Sequence, residues 1–306
     1  MITTETNIST SATAVVKFKT YTELLKPRLS FLVAFSAAFG YLLAFQGTIN
    51  WSSFISLAFG GFLVSGASIM INQILEKDLD KMMNRTSNRP IPSGRVSVQE
   101  AIFYTIITSI AGLSLLLIYT NVLTTALAFV SMLLYGFVYT PLKRVGSIAV
   151  FVGAIPGALP PMLGWVAATG QISYEALIIF AFQFIWQFPH FWAIAWVLDD
   201  DYKRAGFKLL PSKGGKDVTT AFQIAVYTMF LIPMGLLPTQ VGITGIGAGL
   251  IATLAGVLFL VPALQLLRNC SPKNDLELAK QQAKRIMFGS FIYLPIVQLA
   301  FLIDKI

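Results

Sequence analysis

Residues 55–80 read ISLAFGGFLVSGASIMINQILEKDLD, an apolar run that ends in amide and carboxylate side chains. If the run is one helix with about 100° between residues, Asn72, Glu76 and Asp80 share one stripe. One amide and two carboxylates then converge at a membrane edge. Like charges this close repel, and removing them from water costs free energy. A divalent cation would relieve that cost, and Mg²⁺ prefers oxygen ligands that it shares with phosphates.

The alternative for this cluster is a solvated helix end with local ion pairs, such as Glu76 with Lys77 or Lys81. A second acidic cluster, Asp199 to Asp201, follows another apolar run. Two such clusters at two helix ends favour the metal site over the solvated end.

The composition is that of a membrane protein. Of the 306 residues 56% are hydrophobic and 12% are charged, about half the charged fraction of a soluble domain. The single cysteine, Cys270, excludes an intrachain disulfide framework. We therefore expect an all-α, polytopic membrane protein, with a cytoplasmic N-terminal tail (1–28) and one transmembrane domain (29–306).

Nine apolar segments come close to the roughly 20 residues that a bilayer requires. The expected spans are 29–47, 53–75, 99–119, 122–141, 146–168, 174–198, 219–238, 243–267 and 286–304. The fifth contains Pro156, Pro160 and Pro161, which predict a kinked or broken helix covered by protein or a cavity.

The basic residues fix the orientation. With nine spans, 21 of the 22 Lys and Arg residues lie on one side, and only Lys305 lies on the other. By the positive-inside rule the basic side is cytoplasmic, so both acidic clusters meet at the cytoplasmic face. The net charge of +8 is thus a topology signal, and we expect no nucleic-acid partner.

Cations accompany both acidic clusters. The first continues into Lys81 and Arg85, the second into Lys203 and Arg204, and the turn at 141–144 adds a Lys-Arg pair. Local salt bridges are one explanation. Carboxylates, cations and an apolar bundle beneath them also suit a ligand with a diphosphate head and a long hydrocarbon tail. We expect a central cavity, open to the cytoplasmic face, to hold that tail.

At these residues the sequence resembles the UbiA superfamily of intramembrane prenyltransferases. Asn72-x-x-x-Glu76-x-x-x-Asp80 is similar to its first acidic motif, with Gln73 and Glu76 where many members have Asp. Asp199-Asp200-Asp201-Tyr202 resembles the second motif, although position 197 is Val rather than Asp.

The resemblance implies Mg²⁺ as cofactor and names the residues that would hold it with the diphosphate. The expected metal and catalytic ligands are Asn72, Glu76, Asp80, Asp200 and Asp201. The expected diphosphate-binding cations are Arg85, Arg89, Lys143 and Arg144.

Three stretches, 84–90, 187–192 and 200–206, are similar to a branch of the superfamily that farnesylates haem. The resemblance implies transfer of the farnesyl group of farnesyl diphosphate to a vinyl group of haem B, giving haem O. The expected setting is the lipid bilayer of a bacterial cell (inner) membrane, with the N-terminus cytoplasmic and the C-terminus outside. A downstream haem-modifying enzyme is a candidate partner.

His190 is the only histidine and lies within the sixth span. It is either a packed residue with a satisfied hydrogen bond or, because intramembrane ionisable groups are often functional, a haem-binding residue. Neutral imidazole binds iron well.

Two other functions fit the same features. One is a prenyltransferase for an aromatic quinone precursor, which differs only in the acceptor. The other is a transporter of an anionic lipid, which shares broken helices and intramembrane polarity.

Overall fold

The structure is a computed structural model that describes residues 17–270 and 276–306. Nine helices in these ranges are long and apolar enough to cross a membrane. The described residues form no β-strand beyond one isolated bridge, Thr244 with Lys305. The predicted all-α, nine-span fold is confirmed. Residues 1–16 of the predicted tail lie outside the described residues, so the division at residue 28 stays a prediction, as does the central cavity.

Long membrane-spanning helices and two short connecting helices follow one another along the chain. They are α1 (Pro27–Ala44), α2 (Trp51–Leu75), α3 (Lys77–Met82), α4 (Val98–Tyr119), α5 (from Val122–Leu133), α6 (Ile148–Thr169), α7 (Tyr174–Val197), α8 (Asp199–Arg204), α9 (Val218–Gln240), α10 (Ile246–Asn269) and α11 (Leu276–Ile303). A further helical segment at 17–24 precedes α1. The short helix α3 carries Asp80 of the first acidic cluster, and α8 carries the second cluster.

Helix α5 departs from the expected uniform span. It passes into a π-helical segment, Leu134–Tyr139, and ends in one α-helical turn, Thr140–Leu142. The wider π turn brings Gly136 against Ile71 of α2 and the ring of Tyr139 against Gly153 of α6. It therefore sets where the following turn, with Lys143, meets the first acidic cluster.

Helix α6 runs without a break from Ile148 to Thr169, although the sequence places three prolines inside it. Pro160 has no N–H for the carbonyl of Pro156, and the Ser131 hydroxyl donates to that carbonyl at 3.4 Å instead. The prolines themselves are buried, so neighbouring helices cover the freed backbone groups, as the sequence predicts for a span of this kind.

The ninth span begins about ten residues earlier than expected. Helix α11 starts at Leu276, and Ala279, Ala283 and Ile286 in its first turns are buried at 1% exposure or less. Lys280, Lys284 and Arg285 interrupt the apolar signal there, which is why hydropathy alone places the start near residue 286.

Helices α1 and α6 pack most closely at glycines. A methyl group at Gly40 would overlap the backbone of Pro161, and one at Gly164 would overlap the carbonyl of Ala37. The backbones touch because neither residue has a Cβ. The larger buried cluster involves mainly α6, α7, α9, α10 and α11, and a second lies mainly among α1, α2, α4 and α5.

Candidate functional site

The first acidic cluster lies where α2 ends and α3 begins. Glu76 sits between the two helices with φ −97° and ψ 9°, so the expected single helix is two. Hydrogen bonds from Glu76 N to Asn72 O and from Asp80 N to Glu76 O keep the helical spacing. Asn72, Glu76 and Asp80 are therefore all buried, at 6%, 4% and 0% exposure, while Asp78 is exposed.

Each buried acid has a cationic partner from another element. Lys143 Nζ lies 2.9 Å from Glu76 Oε1, and Arg89 Nη1 lies 2.7 Å from Asp80 Oδ2. The amide of Asn72 donates to the Thr140 hydroxyl at 3.1 Å. The stripe is thus not a solvated helix end with local pairs, since its partners come from the segments around residues 89 and 143.

Lys143 is held in place by aromatic rings. Its ammonium lies 4.8 Å from the ring centroid of Tyr139 and 5.6 Å from that of Phe207. The carbonyl of Lys143 accepts from the N–H of Lys208 at 2.9 Å. Only 10% of the side chain is exposed, so its charge is fixed beside Glu76.

In the second cluster the three aspartates differ in exposure, and Asp201 differs from the other two in its partners. Asp199 is buried and paired with Lys203 at 2.8 Å. Asp200 is 78% exposed and lies 3.5 Å from Lys216. The Asp201 side chain is 16% exposed and accepts from the backbone N–H groups of Asn84 and Arg85 at 3.4 and 3.3 Å.

Asp201 is therefore the aspartate of the second cluster that contacts the segment following the first cluster, at Asn84 and Arg85. The structure brings Asn72, Glu76, Asp80, Arg89 and Lys143 together, and Asp201 reaches the loop that carries Arg89. It places the Asp200 carboxylate, the Arg85 side chain and the Arg144 side chain at the exposed surface.

Lys26 lies near this site, since the charges of Arg89, Arg85 and Asp80 act on its ammonium, although the sequence indicates it only as a topology charge. It precedes α1 with φ 47°, a left-handed conformation, and is the one non-glycine residue with positive φ in the described part of the chain. Burial, with the positive charges of Arg89 and Arg85 nearby, lowers the pKa of Lys26 to about 8. The sequence Lys26-Pro27 at the start of a helix does not by itself predict that the lysine lies near the acidic cluster.

The donor set suits a hard divalent cation. Asp80 Oδ1 is buried without a hydrogen-bond partner, and amide and carboxylate oxygens of Asn72 and Glu76 lie on the same stripe. Within 17–270 and 276–306, no three His, Cys, Asp or Glu side chains form a cluster that could hold a metal. A cation here would thus complete its shell with water and phosphate oxygens, as Mg²⁺ commonly does.

His190 lies deeper, on α7. It is 7% exposed, its ring stacks on Trp186 with centroids 4.6 Å apart, and Nδ1 lies 2.7 Å from Ser290 Oγ on α11. The satisfied hydrogen bond that the packing interpretation expects is present, and it engages only one of the two ring nitrogens.

Comparison with known proteins matches the UbiA prenyltransferase family over residues 33–292. A protoheme IX farnesyltransferase of Cytophaga hutchinsonii is 48% identical over 290 residues, covering 95% of this chain and 99% of that protein. One of Flavobacterium psychrophilum is 44% identical over 296 residues, covering 94% and 95%.

Solved structures share the fold. A digeranylgeranylglyceryl phosphate synthase has a TM-score of 0.76 at 22% identity, covering 94% of this chain and 98% of that chain. A UbiA homologue from Archaeoglobus fulgidus, bound to GPP and Mg²⁺, has a TM-score of 0.66 at 16% identity, covering 92% and 99%. The expected resemblance is confirmed: the chain belongs to the UbiA prenyltransferase family.

Proposed function

We propose that this protein transfers the farnesyl group of farnesyl diphosphate to a vinyl group of haem B, giving haem O and diphosphate. The observation that carries the proposal is the buried cluster of paired acids and cations at the ends of α2 and α5, reached from α8 through Asp201. The acceptor follows from the relatives, which are named protoheme IX farnesyltransferases.

The acids and the cations of the cluster suit different parts of a bound metal–diphosphate complex. We assign Asn72, Glu76, Asp80 and Asp201 to the metal–diphosphate complex, and Arg89, Lys143 and Lys26 to the diphosphate charge. Mg²⁺, when bound, would neutralise the diphosphate and stabilise it as a leaving group. Its use is supported by the related fold solved with GPP and Mg²⁺.

The reaction breaks the bond between C1 of the farnesyl group and the diphosphate oxygen. Negative charge develops on that oxygen, where fixed ammonium and guanidinium groups stabilise it best. The terminal carbon of the haem vinyl group bonds to C1, and water adds to the other vinyl carbon and releases a proton. This gives the hydroxyethylfarnesyl group of haem O.

The setting follows from the charge distribution. We propose a bacterial cell (inner) membrane, with the N-terminus and the acidic clusters in the cytoplasm and the C-terminus outside.

The His190 imidazole is the proposed haem ligand. The exposed side chains of Asp200, Arg85 and Arg144 are proposed to act only on incoming diphosphate. A haem-modifying enzyme that takes up haem O is the proposed partner.

The direct test incubates purified protein with haem B, farnesyl diphosphate and Mg²⁺ and measures the mass of the haem. We expect a gain of one farnesyl group and one hydroxyl group, with release of diphosphate and a proton. Hydroxybenzoate and dihydroxynaphthoate serve as competing acceptors. Farnesylation of either one, with haem B unchanged, would replace the proposed acceptor by a quinone precursor.

Asp80→Asn tests the cluster itself. The amide keeps the size and still accepts a hydrogen bond from Arg89, but the negative charge is lost, so turnover should fall about 100-fold or more. Asp78→Asn is the matched control, because Asp78 lies two residues away on the exposed side of α3. Equal turnover in the two folded variants would remove Asp80 from the site.

A further inference from the structure

A hydrogen bond between His190 on α7 and Ser290 on α11 determines how the imidazole is oriented. Ser290 is fully buried, and its hydroxyl donates to the carbonyl of Met287 at 2.6 Å. A serine hydroxyl has a single proton. The 2.7 Å contact with His190 must therefore run from Nδ1–H of the imidazole to Ser290 Oγ.

The tautomer follows from that direction. His190 is buried among aromatic rings, where an uncompensated imidazolium would be costly, so the ring is neutral. A neutral imidazole with its proton on Nδ1 carries a free lone pair on Nε2. Nε2 has no hydrogen-bond partner among the residues that the structure describes.

The ring is also held in orientation. Trp186 stacks on one face at 17° between planes, and Phe291 contacts it edge-on with centroids 4.9 Å apart. From the end of α7 at Val197, seven residues place His190 about 10 Å along the helix from the acidic cluster of α8. The imidazole is thus held about two helical turns below the acidic cluster, with Nε2 left without a partner.

We propose that Ser290 is a positioning residue for haem: it fixes His190 as the Nδ1–H tautomer, so that Nε2 binds the haem iron. Histidines that bind metals usually donate their other N–H to such a partner, which sets the tautomer and the ring orientation. The inference rests on the proposed function, because it names the contact that would orient the acceptor.

The tautomer is measurable without any substitution. The chain has one histidine, so ¹⁵N-histidine labelling, with a purification tag that contains none, gives one pair of ring nitrogen resonances. We expect a protonated Nδ1 and an unprotonated Nε2 in the substrate-free protein. A protonated Nε2 with a bare Nδ1 would overturn the inference.

Haem titrations test the consequence. Wild-type protein should show the absorption and resonance Raman signature of histidine-bound iron, and His190→Ala should lose it. Ser290→Ala should weaken haem binding about tenfold, within the usual range for such outer partners, and Ser290→Thr, which keeps the hydroxyl, should restore it. Ser109→Ala is the control, since the Ser109 hydroxyl donates to the carbonyl of Thr105 within α4.

The results distinguish failure of the proposed function from failure of the proposed role of Ser290. If wild-type protein forms no haem O, the proposed function fails. If it forms haem O while folded Ser290→Ala keeps the wild-type haem affinity and iron–histidine signature, only the role of Ser290 fails. Farnesyl diphosphate binding should be unchanged in Ser290→Ala, which distinguishes a local effect from general loss of structure.

Discussion

Asp200 and Asp201 are neighbours in one motif, but the side chain of Asp200 faces water and that of Asp201 faces the protein. The carboxylate of Asp201 is largely buried and meets two backbone N–H groups of the loop after α3, whereas Asp200 is 78% exposed. A carboxylate held by backbone N–H groups in a protected site is oriented for a ligand, and an exposed carboxylate is screened by solvent.

We expect Asp201→Asn to lower turnover about 100-fold or more and Asp200→Asn to leave it near the wild-type value. In Asp201→Asn the amide oxygen can still accept from one of the two backbone N–H groups, which bond different oxygens of the carboxylate, so part of this contact is kept. Steady-state rates of haem O formation, with melting curves for both variants, measure the difference. A loss of turnover in folded Asp200→Asn would restore that residue as a ligand.

The pKa of Lys26, lowered to about 8, predicts a pH effect on anion binding. Below pH 8 the ammonium is charged and attracts diphosphate; above pH 8 it becomes neutral, so diphosphate affinity should fall. Lys26→Arg is the control, since a guanidinium stays charged throughout this range.

The measurement is the affinity for inorganic diphosphate from about pH 7 to about pH 9, a range around the pKa of Lys26, at constant Mg²⁺. The ionisation of diphosphate itself affects both proteins alike, so the ratio of wild-type to Lys26→Arg affinity isolates the lysine. A ratio independent of pH would show that the Lys26 ammonium does not contact the anion.

At the scale of elements, the two acidic clusters are built in the same way. A long membrane helix ends, one residue with ψ near 10° follows, and a six-residue helix then carries Asp80 in the first cluster and Asp199 to Asp201 in the second. Glu76 has this position between α2 and α3, and Leu198 has it between α7 and α8. The second short helix meets the loop after the first one through Asp201, which accepts from the N–H groups of Asn84 and Arg85.

The contact between α1 and α6 allows a stability test. Gly164→Ala would place a methyl group on the carbonyl of Ala37, so the two helices must separate. We expect a loss of about 1–3 kcal/mol, the usual cost of overpacking. Gly61→Ala is the control, because a Cβ at Gly61 meets nothing within 4 Å and alanine favours a helix.

Thermal unfolding in one detergent, monitored by circular dichroism, compares the two glycine variants with wild type. Gly164→Ala should melt earlier, and Gly61→Ala at or slightly above the wild-type temperature. Equal melting temperatures for both variants would mean that α1 and α6 do not pack through Gly164.

At the scale of the whole molecule, the orientation in the membrane is the main untested expectation. A cysteine in place of Ser93, which is exposed beside the first cluster, should react with impermeant maleimide only in inverted vesicles or lysed cells. A cysteine in place of Gln171, exposed at the opposite end of α6, should react from outside. Labelling at Ser93 from outside would reverse the topology.

The native Cys270 must be replaced by serine in this experiment, but its reaction should be slow in any case. Burial raises the pKa of the Cys270 thiol, so less thiolate is present near neutral pH than in an exposed cysteine. The alkylation rate of Cys270 in wild-type protein should lie below that of the cysteine at position 93 and should rise with pH. Equal rates near neutral pH would contradict the partly buried setting of Cys270.

Local sequence signals account for the nine spans, the clustering of basic residues at one side and the stripe of Asn72, Glu76 and Asp80. These features depend on apolar length, on charge counts and on the period of a helix, and each can be read from a short window of the chain. The same signals misplace the start of α11, because Lys280, Lys284 and Arg285 interrupt the apolar pattern there, and they do not predict the π turn in α5.

Packing between distant helices selects which side chains of the two clusters meet. Asp201 and Asn84 are 117 residues apart in the chain, and His190 and Ser290 are 100 apart. No local pattern encodes such pairs, because contacts between distant helices depend on how the helices pack together. The contacts of Glu76 with Lys143 and of Asp201 with Asn84 are therefore properties of the assembled bundle.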